Sequence, residues 1–465
     1  MANSPVIIGA GISGLSAAYY LAKGDSRSTL LESRPRMGGV IQTDRVEGCT
    51  LEAGPDSFLS VKPAALELIR DLGLSDQVIG SNDHLRVTFV RRHGKLVPLP
   101  DGLMMMVPTK IMPLVTTPLV GWWTKLRMGM ELLRSPKVKA DDESVSDFIR
   151  QHYGREAVDY LAEPLLSGIY GGDPGALSVT SVLPRFVELA NKYGSLTRGV
   201  LAERAAAARK RNGAPVTPPP LFSTLKGGLG QMIDAVSLSI RGKAQLWQAR
   251  AERVERAGKE FRIKIGGDWL KTDRLVIACE AHNAAALLAG VDARLAELLG
   301  TVAYSSSMTV ALGFDGADFA TPPVGFGFLV PRKERRRLVA CTWVGTKFSH
   351  RVPDGKIVAR CFLGGMEDAG VLNEPDDAII AAVTGELQEI AGITARPKFT
   401  RISRWPRSMA QYTVGHPQRM AEVKARLAAI PGLYLAGNAY TGIGIPDCIR
   451  MGRAAAEEIL KSSNS

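Results

Sequence analysis

Cysteine and histidine are scarce in this sequence of 465 residues, with five of the first and six of the second. Cys49, Cys279, Cys341, Cys361 and Cys448 are odd in number, widely spaced and without a CxxC pair, so neither a disulfide framework nor a zinc site is expected. No HxxxH spacing occurs, and no metal centre is expected either. Long apolar runs are also missing. The longest uncharged stretch of the most apolar region, residues 111–124, is too short to cross a bilayer and is broken by Pro113 and Pro118. Met1-Ala2-Asn3-Ser4 leads directly into an apolar strand, which leaves no room for a signal peptide, and a reducing, cytoplasmic compartment is expected. Low-complexity blocks are absent as well.

The net charge of +12 asks for an acidic partner. Its basic residues are not interleaved with aromatics as a nucleic-acid groove requires, so no nucleic acid is expected. An anionic membrane surface or a polycarboxylate substrate fits better. The densest runs, Arg332-Lys333-Glu334-Arg335-Arg336-Arg337 and Arg209-Lys210-Arg211, read as solvated faces.

What is present begins at the N-terminus. Residues 5–8 read as a short buried strand running into Gly9-Ala10-Gly11-Ile12-Ser13-Gly14. Gly9 permits the tight turn, Gly11 lets backbone approach a pyrophosphate, and Gly14 lets the next helix pack on the sheet. That helix, residues 13–22, aims its N-terminal N–H groups and positive dipole end at the phosphates. A second strand, residues 28–31, ends at Glu32, 18 positions after Gly14 (32 − 14) and close to the spacing of a ribose-binding acid. A carboxylate there disfavours a 2′-phosphate. Strand, helix, strand and acid in this order make a dinucleotide site.

Further along, residues 40–43 and 50–52 read as strands before Ala53-Gly54-Pro55-Asp56-Ser57-Phe58, and residues 63–72 as a helix. A hairpin of residues 87–90 and 95–98, turning at His93-Gly94, opens a second, sheet-containing domain. Residues 103–133 are rich in Met, Leu, Val and Trp, including Met104, Met105, Trp122 and Trp123. They read either as a packed helical lobe or as an interfacial surface flanked by Lys125 and Arg127. Ser144 and Asp147 cap a helix ending at Tyr153. The run Glu163-Pro164-Leu165-Leu166-Ser167-Gly168-Ile169-Tyr170-Gly171-Gly172 reads as a bend whose carbonyls can face a cavity. An Ala/Arg helix over 198–212 and a proline linker over 215–220 close the lobe.

Gly227-Gly228-Leu229-Gly230 then returns the chain to the nucleotide domain, with strands over 253–254, 261–265 and 275–278 and a helix over 284–289. Strands over 308–314, 326–330, 338–343 and 356–363 and a helix over 376–390 resume the second domain. The end of the chain reads as a strand over 432–438 and a loop, Gly442-Ile443-Gly444-Ile445-Pro446-Asp447, opening a helix from about 448 to 460. Its N-terminus can stabilise negative charge on a reduced cofactor. Two interleaved domains place the cavity at their interface.

Glu32-Ser33-Arg34-Pro35-Arg36-Met37-Gly38-Gly39 is similar to the corresponding stretch of flavoproteins of the amine oxidase and protoporphyrinogen oxidase superfamily. Four further blocks carry the likeness from end to end: Gly54-Pro55-Asp56-Ser57-Phe58, Glu163 to Tyr170, Gly325-Phe326-Gly327-Phe328-Leu329-Val330-Pro331, and Leu435-Ala436-Gly437-Asn438 with Gly442 to Ile449. Together they resemble the oxygen-dependent protoporphyrinogen and coproporphyrinogen III oxidases.

That resemblance implies an α/β fold with a discontinuous, Rossmann-like FAD-binding domain (1–72, 221–290, 400–465). It adds a mixed-sheet substrate domain (73–98, 291–399) and an inserted helical lobe (99–220), whose peripheral contact with the inner face of a membrane rests on its apolar residues alone. FAD would be held non-covalently by Gly9 to Gly14, Glu32, Ser33, Arg36, Gly38, Gly39, Gly54, Pro55, Asp56, Ser57, Trp405, Gly437, Asn438, Ile443, Gly444 and Ile445. The implied reaction belongs to haem biosynthesis: six electrons pass from a porphyrinogen through the flavin to O₂, giving peroxide. It needs no dedicated protein acid or base, and the porphyrin is handed to the next enzyme of the pathway. Gly168 would offer its carbonyl to the tetrapyrrole N–H groups beside Ile169, Phe326 would pack on the macrocycle, and Arg86 would hold a propionate. Family members carry that arginine nearer to Thr88. Protoporphyrinogen and coproporphyrinogen III both remain open as substrates. The rivals are an amine oxidase, which flanks its flavin with an aromatic pair where this chain offers Tyr440, and a GDI-like binding protein without flavin. Glu32, Gly38-Gly39 and the Gly442 to Asp447 loop argue against the latter.

Overall fold

A computed structural model describes residues 4–134, 142–210 and 219–463. Most of the proline linker over 215–220 and the last residues of the 198–212 helix therefore lie outside the described residues, as does Arg211.

The Gly-rich segment lies at the centre of a five-stranded parallel sheet, ordered Ala244–Gln248, Ser28–Glu32, Val6–Ile8, Leu275–Ile277, Leu433–Leu435. Val6–Ile8 and Leu275–Ile277 are buried at every position, which explains why they are continuous apolar runs and not alternating ones. Helix Ile12–Lys23 is buried at every residue except Lys23. The C-terminal helix Ile445–Ser463 crosses it closely enough that a Cβ at Gly452 would lie 2.2 Å from the Ser13 carbonyl oxygen. That helix begins three residues earlier than the sequence suggests, because Pro446 suits a first turn where its missing N–H is not needed.

A mixed seven-stranded sheet forms the second layer, ordered Phe399–Gln411, Ala303–Asp315, Lys356–Gly365, Ala340–Trp343, Gly327–Leu329, Thr88–Arg92, Lys95–Pro98. All its pairings are antiparallel except Gly327–Leu329 with Thr88–Arg92. The hairpin turns at His93 (φ +50°) and Gly94 (φ +74°), two left-handed residues as a tight hairpin requires. Strand alternation sends Val310, Phe328, Cys341 and Cys361 into a core under helix Asp376–Ala391, while Thr309, Arg360 and Phe362 line a cavity on the other face. Phe399–Gln411 pairs with Ala303–Asp315, so a domain boundary at residue 400 would fall inside a strand of the wrong sheet. Regular strand residues carry no mark of which sheet they join.

Residues 163–170 are a helix, Glu163–Tyr170, and not a bend. It follows a π-helical turn, Val158–Ala162, and is ended by Gly171 at φ +57°. In the lobe, Leu119, Val120, Met128, Phe148, Ile149 and Tyr153 are buried around Glu131. That carboxylate bonds His152 Nδ1 (2.9 Å), Ser195 Oγ (2.7 Å) and the Leu196 N–H (2.5 Å). The lobe is not packed throughout, however. Trp122 and Trp123 are 71% and 84% exposed, and Ile111, Met112, Leu126, Met130 and Leu133 are exposed with them.

The basic run 332–337 is solvated at Arg332, Lys333 and Arg336, whereas Arg335 is largely covered, and each of its cations is paired. Arg332 pairs with Glu367 (2.6 Å), Lys333 with Asp159 (2.5 Å), Arg335 with Glu163 (2.7 Å), Arg336 with Glu389 (2.8 Å) and Arg337 with Glu374. Two of these pairs tie the lobe to the second sheet. No helix among the described residues is long and apolar enough to cross a membrane.

Candidate active site

Among the described residues, one continuous cavity of about 2140 Å³ lies between the two sheets and the lobe. Sites for one small ligand usually enclose roughly 300–1,000 Å³, so this one has room for a dinucleotide and a second large molecule. At the nucleotide end, three glycines of the first loop have different reasons to be glycine. A Cβ at Gly9 (φ +101°) would lie 2.8 Å from the Ala278 carbonyl oxygen, and one at Gly14 would lie 1.9 Å from that of Gly9. A Cβ at Gly11 would meet nothing within 4 Å, and its φ of −69° suits any residue. The protein's own packing demands Gly9 and Gly14, whereas Gly11 keeps space open for something outside the chain.

Glu32 accepts from the N–H groups of Ala10 and Arg34, both at 2.8 Å, and keeps further lone pairs on the cavity wall. Arg36 is differently placed. Its guanidinium donates to the carbonyls of Gly39 (2.5 Å), Met37 and Ile41 (both 3.2 Å), bracing the Gly38-Gly39 turn from behind. Ala10, Gly14 and Arg36 therefore stand behind the wall, while Gly9, Gly11, Ile12, Ser13, Glu32, Ser33, Gly38 and Gly39 line it.

The Gly54 to Ser57 loop is pinned by residues of the other sheet. The Ala53 carbonyl accepts from Trp405 Nε1 (2.8 Å) and Thr309 Oγ1 (2.7 Å), the Gly54 carbonyl accepts from Arg360, and Asp56 pairs with Lys347 Nζ (2.8 Å). With its carbonyls so engaged, the loop leaves the N–H groups of Gly54, Asp56 and Ser57 without an acceptor among the described residues, on a segment that lines the cavity. Behind it, Arg351 pairs with Glu52 (3.0 Å), both fully buried. Three cations thus face two carboxylates. Burial would neutralise Asp56, but Lys347 first and then Arg360 and Arg351 hold its carboxyl far below the usual range. Burial likewise pulls Lys347 down against the pull of Asp56. With Lys347, Arg360 and Arg351 all near it, Asp56 stays a carboxylate and keeps Lys347 as its cationic partner.

Ile443, Gly444 and Ile445 lead along the wall into the C-terminal helix, beside Gly437 and Asn438. Asn438 fastens this turn. Its Nδ2 donates to the Ser408 carbonyl and its own carbonyl accepts from Tyr412 Oη, both at 2.8 Å.

At the other end Gly168, Ile169, Phe326 and Arg86 all line the cavity. Helix Glu163–Tyr170 is clamped at both ends. Glu163 accepts from Arg335 (2.7 Å) and the Arg332 N–H (2.9 Å), and Gln411 Nε2 donates to the Tyr170 carbonyl (2.7 Å). Burial pushes the Glu163 carboxyl up, with Arg335 opposing. The carbonyls of Gly168 and Ile169, in the last turn, receive no donor from the described residues. Phe326 is fixed through its backbone, donating to the Val87 carbonyl (2.8 Å) and accepting from Trp343 (2.9 Å), yet it belongs to none of the hydrophobic clusters. Arg86 is exposed just after the short turn Asp83–Leu85, and Thr88 lines the wall nearby. Thr309, Lys347, Arg360, Arg335 and Gln411 were not foreseen from the sequence, since no local motif marks them.

The sequence profile of the flavin containing amine oxidoreductase family matches residues 12–460. The chain belongs to that family. Within this flavin family it is 34% identical over 463 residues to coproporphyrinogen III oxidase of Bacillus subtilis, covering 98% of this chain and 97% of that one. It is 28% identical to the chloroplastic protoporphyrinogen oxidase 1 of Arabidopsis thaliana, over 98% of this chain and 87% of that protein. An Exiguobacterium sp. 255-15 protein, provisionally assigned as a protoporphyrinogen oxidase, has a crystal structure that superposes with a TM-score of 0.88 at 31% identity over 99% of each chain. A flavin suits the wall described above: open space at Gly11, the acid at Glu32, unengaged amides at Gly54 to Ser57, and a helix N-terminus at Ile445.

Proposed function

We propose that this member of the flavin family is an FAD-dependent porphyrinogen oxidase of haem biosynthesis, acting on coproporphyrinogen III in preference to protoporphyrinogen IX. The observation that carries the reading is the wall opposite the nucleotide end, where the free carbonyls of Gly168 and Ile169 and the ring of Phe326 line one space. A flat macrocycle with inward N–H donors and an apolar face is complementary to it. The preference follows the naming of the relatives at higher identity.

FAD, held without a covalent bond, supplies the two-electron acceptor that returns electrons to O₂. One porphyrinogen and three O₂ give one porphyrin and three H₂O₂, with six electrons and six protons balanced. The chain's part is placement and electrostatics. Carbonyl dipoles at the end of helix Glu163–Tyr170 accept from pyrrole N–H groups, and the clamps at Glu163 and Tyr170 keep that end rigid. Phe326 covers a face of the ring, and Arg86 binds a propionate. The N-terminus of helix Ile445–Ser463 and the cation excess around Asp56 favour negative charge in the cavity. No protein group has to shuttle protons between the carbons, because the macrocycle can tautomerise between steps.

The protein works in the cytoplasm and touches the inner face of the membrane through Trp122 and Trp123, with Lys125 stacked on Trp122 (4.5 Å), before the porphyrin passes to the next enzyme. Anaerobic mixing with coproporphyrinogen III tests the reaction. Rapid bleaching of the visible flavin band supports it, and an unchanged band contradicts it.

A further inference from the structure

Most of the cavity's cations are already spent. Lys62 is held by Asp447 (2.6 Å), Arg332 by Glu367 (2.6 Å) and Arg335 by Glu163 (2.7 Å). Lys347 and Arg360 serve Asp56 and the Gly54 carbonyl. Four cavity arginines have side chains with no hydrogen bond or ion pair among the described residues: Arg34, Arg86, Arg250 and Arg407. Arg34 and Arg250 flank Glu32, whose carbonyl accepts from the Ala249 N–H (2.8 Å), and so belong to the nucleotide end. Arg86 and Arg407 remain for the other ligand.

Arg407 is also deliberately placed. In the pairing of Phe399–Gln411 with Ala303–Asp315, Ser305 faces Met409 and Ser307 faces Trp405. Pro406, Arg407 and Ser408 therefore bulge opposite Ser306 alone. Arg407 takes a left-handed φ of +44°, unusual for a residue with a Cβ, and its N–H donates to Ser306 Oγ (3.0 Å). On one side Ser305 Oγ donates to the Tyr170 carbonyl (3.4 Å) at the end of the Gly168 helix; on the other Ser408 holds Asn438. The backbone of Arg407 is thus held on the cavity wall between two segments that reach the Gly168 helix and Asn438, and its exposed side chain has no partner among the described residues.

We propose that Arg407 is a second carboxylate-binding residue of the substrate site and selects substrates with carboxylates on opposite edges. This rests on the porphyrinogen reading. The strand of Arg407 and the strand that follows Arg86 are five steps apart in the sheet order, which at strand spacing is about 24 Å. Two arginine side chains with a macrocycle between them fill that span. A tetracarboxylate such as coproporphyrinogen III reaches both arginines, whereas protoporphyrinogen IX, with both propionates on one edge, reaches one.

Arg407→Asn is the informative variant, because asparagine tolerates the left-handed backbone; Arg407→Lys keeps the charge. Steady-state oxidation is measured together with binding of the finished porphyrins to the holoenzyme by fluorescence quenching. For Arg407→Asn, KM for coproporphyrinogen III and Kd for coproporphyrin III should rise about tenfold, with kcat and the protoporphyrin IX Kd within about twofold and flavin content unchanged. Arg407→Lys should fall between. Equal coproporphyrin III binding by wild type and Arg407→Asn would overturn the proposal. So would loss of flavin from the variant, which would assign the cation to the cofactor's phosphates. Tight coproporphyrin III binding that depends on Arg407 in a protein oxidising neither porphyrinogen would uphold the carboxylate site while refuting the oxidase.

Discussion

Lys347 Nζ lies 2.8 Å from Asp56 Oδ2, joining a loop of the nucleotide-binding half to the seven-stranded sheet across 291 positions of sequence. The pair is mostly covered, with side chains 12% and 18% exposed on the cavity wall, and fixes the segment whose free amides line the cavity, so stability and flavin retention depend on it together.

Lys347→Met leaves Asp56 with Arg360 at 3.8 Å as its remaining nearby cation, and should cost about 3 kcal/mol or more in unfolding free energy. Lys347→Met with Asp56→Asn should cost less than the single change, because no buried charge is stranded. Since the native carboxyl is held low, the unfolded chain binds more protons near pH 4, about the ordinary carboxylate value. The contribution is present above that pH and is lost as pH falls through the lowered native value. In Lys347→Met the native carboxyl loses its largest lowering influence, so this acid-dependent loss of stability should shrink, which urea unfolding at a series of pH values measures.

Gly11→Val should abolish flavin binding and leave the fold intact, since its side chain enters space that no protein atom occupies. The ratio of flavin to protein absorbance should fall to that of an apoprotein while the far-ultraviolet circular dichroism is unchanged. A yellow Gly11→Val protein would contradict the assigned path of the pyrophosphate.

How much of this could be read from the chain depends on distance. Gly9, Gly11, Gly14 and Glu32 act through local turns and one crossover, and Phe326 sits in a Gly-x-Gly frame visible in the sequence. Thr309, Lys347 and Arg360 reach the Gly54 loop only after two sheets meet, and nothing near them in sequence announces it. The solvated character of the 332–337 run is legible, but its ion pairs are not, because the partners Asp159, Glu163, Glu367, Glu374 and Glu389 are scattered along the chain. Pro164, Gly168 and the Gly171-Gly172 pair read locally as a bend, yet helix Glu163–Tyr170 tolerates them because Pro164 lies in its first turn and Gly168 in its last.

Phe326→Ala should lower kcat/KM for coproporphyrinogen III about tenfold while FAD stays bound. Phe328→Ala is the contrast. That ring is 2% exposed in the core under helix Asp376–Ala391, and its loss should cost about 3–5 kcal/mol of stability. Thermal unfolding and kinetics of both variants separate the two roles; similar stability losses would return Phe326 to the core.

Trp122→Ser combined with Trp123→Ser should abolish sedimentation with vesicles of mixed phosphatidylglycerol and phosphatidylcholine without changing turnover in solution. High salt should weaken the wild-type association, because Lys125 and Arg127 flank the aromatic pair. Equal sedimentation of both proteins would remove this face from membrane contact.

Porphyrinogen oxidation is decided by aerobic turnover of the purified yellow protein, with coproporphyrinogen III and protoporphyrinogen IX supplied in parallel and porphyrin fluorescence followed against the spontaneous oxidation blank. Porphyrin should form from both, with a higher kcat/KM for coproporphyrinogen III and three H₂O₂ per porphyrin. A flavin-loaded protein that raises neither signal above the blank would contradict porphyrinogen oxidation.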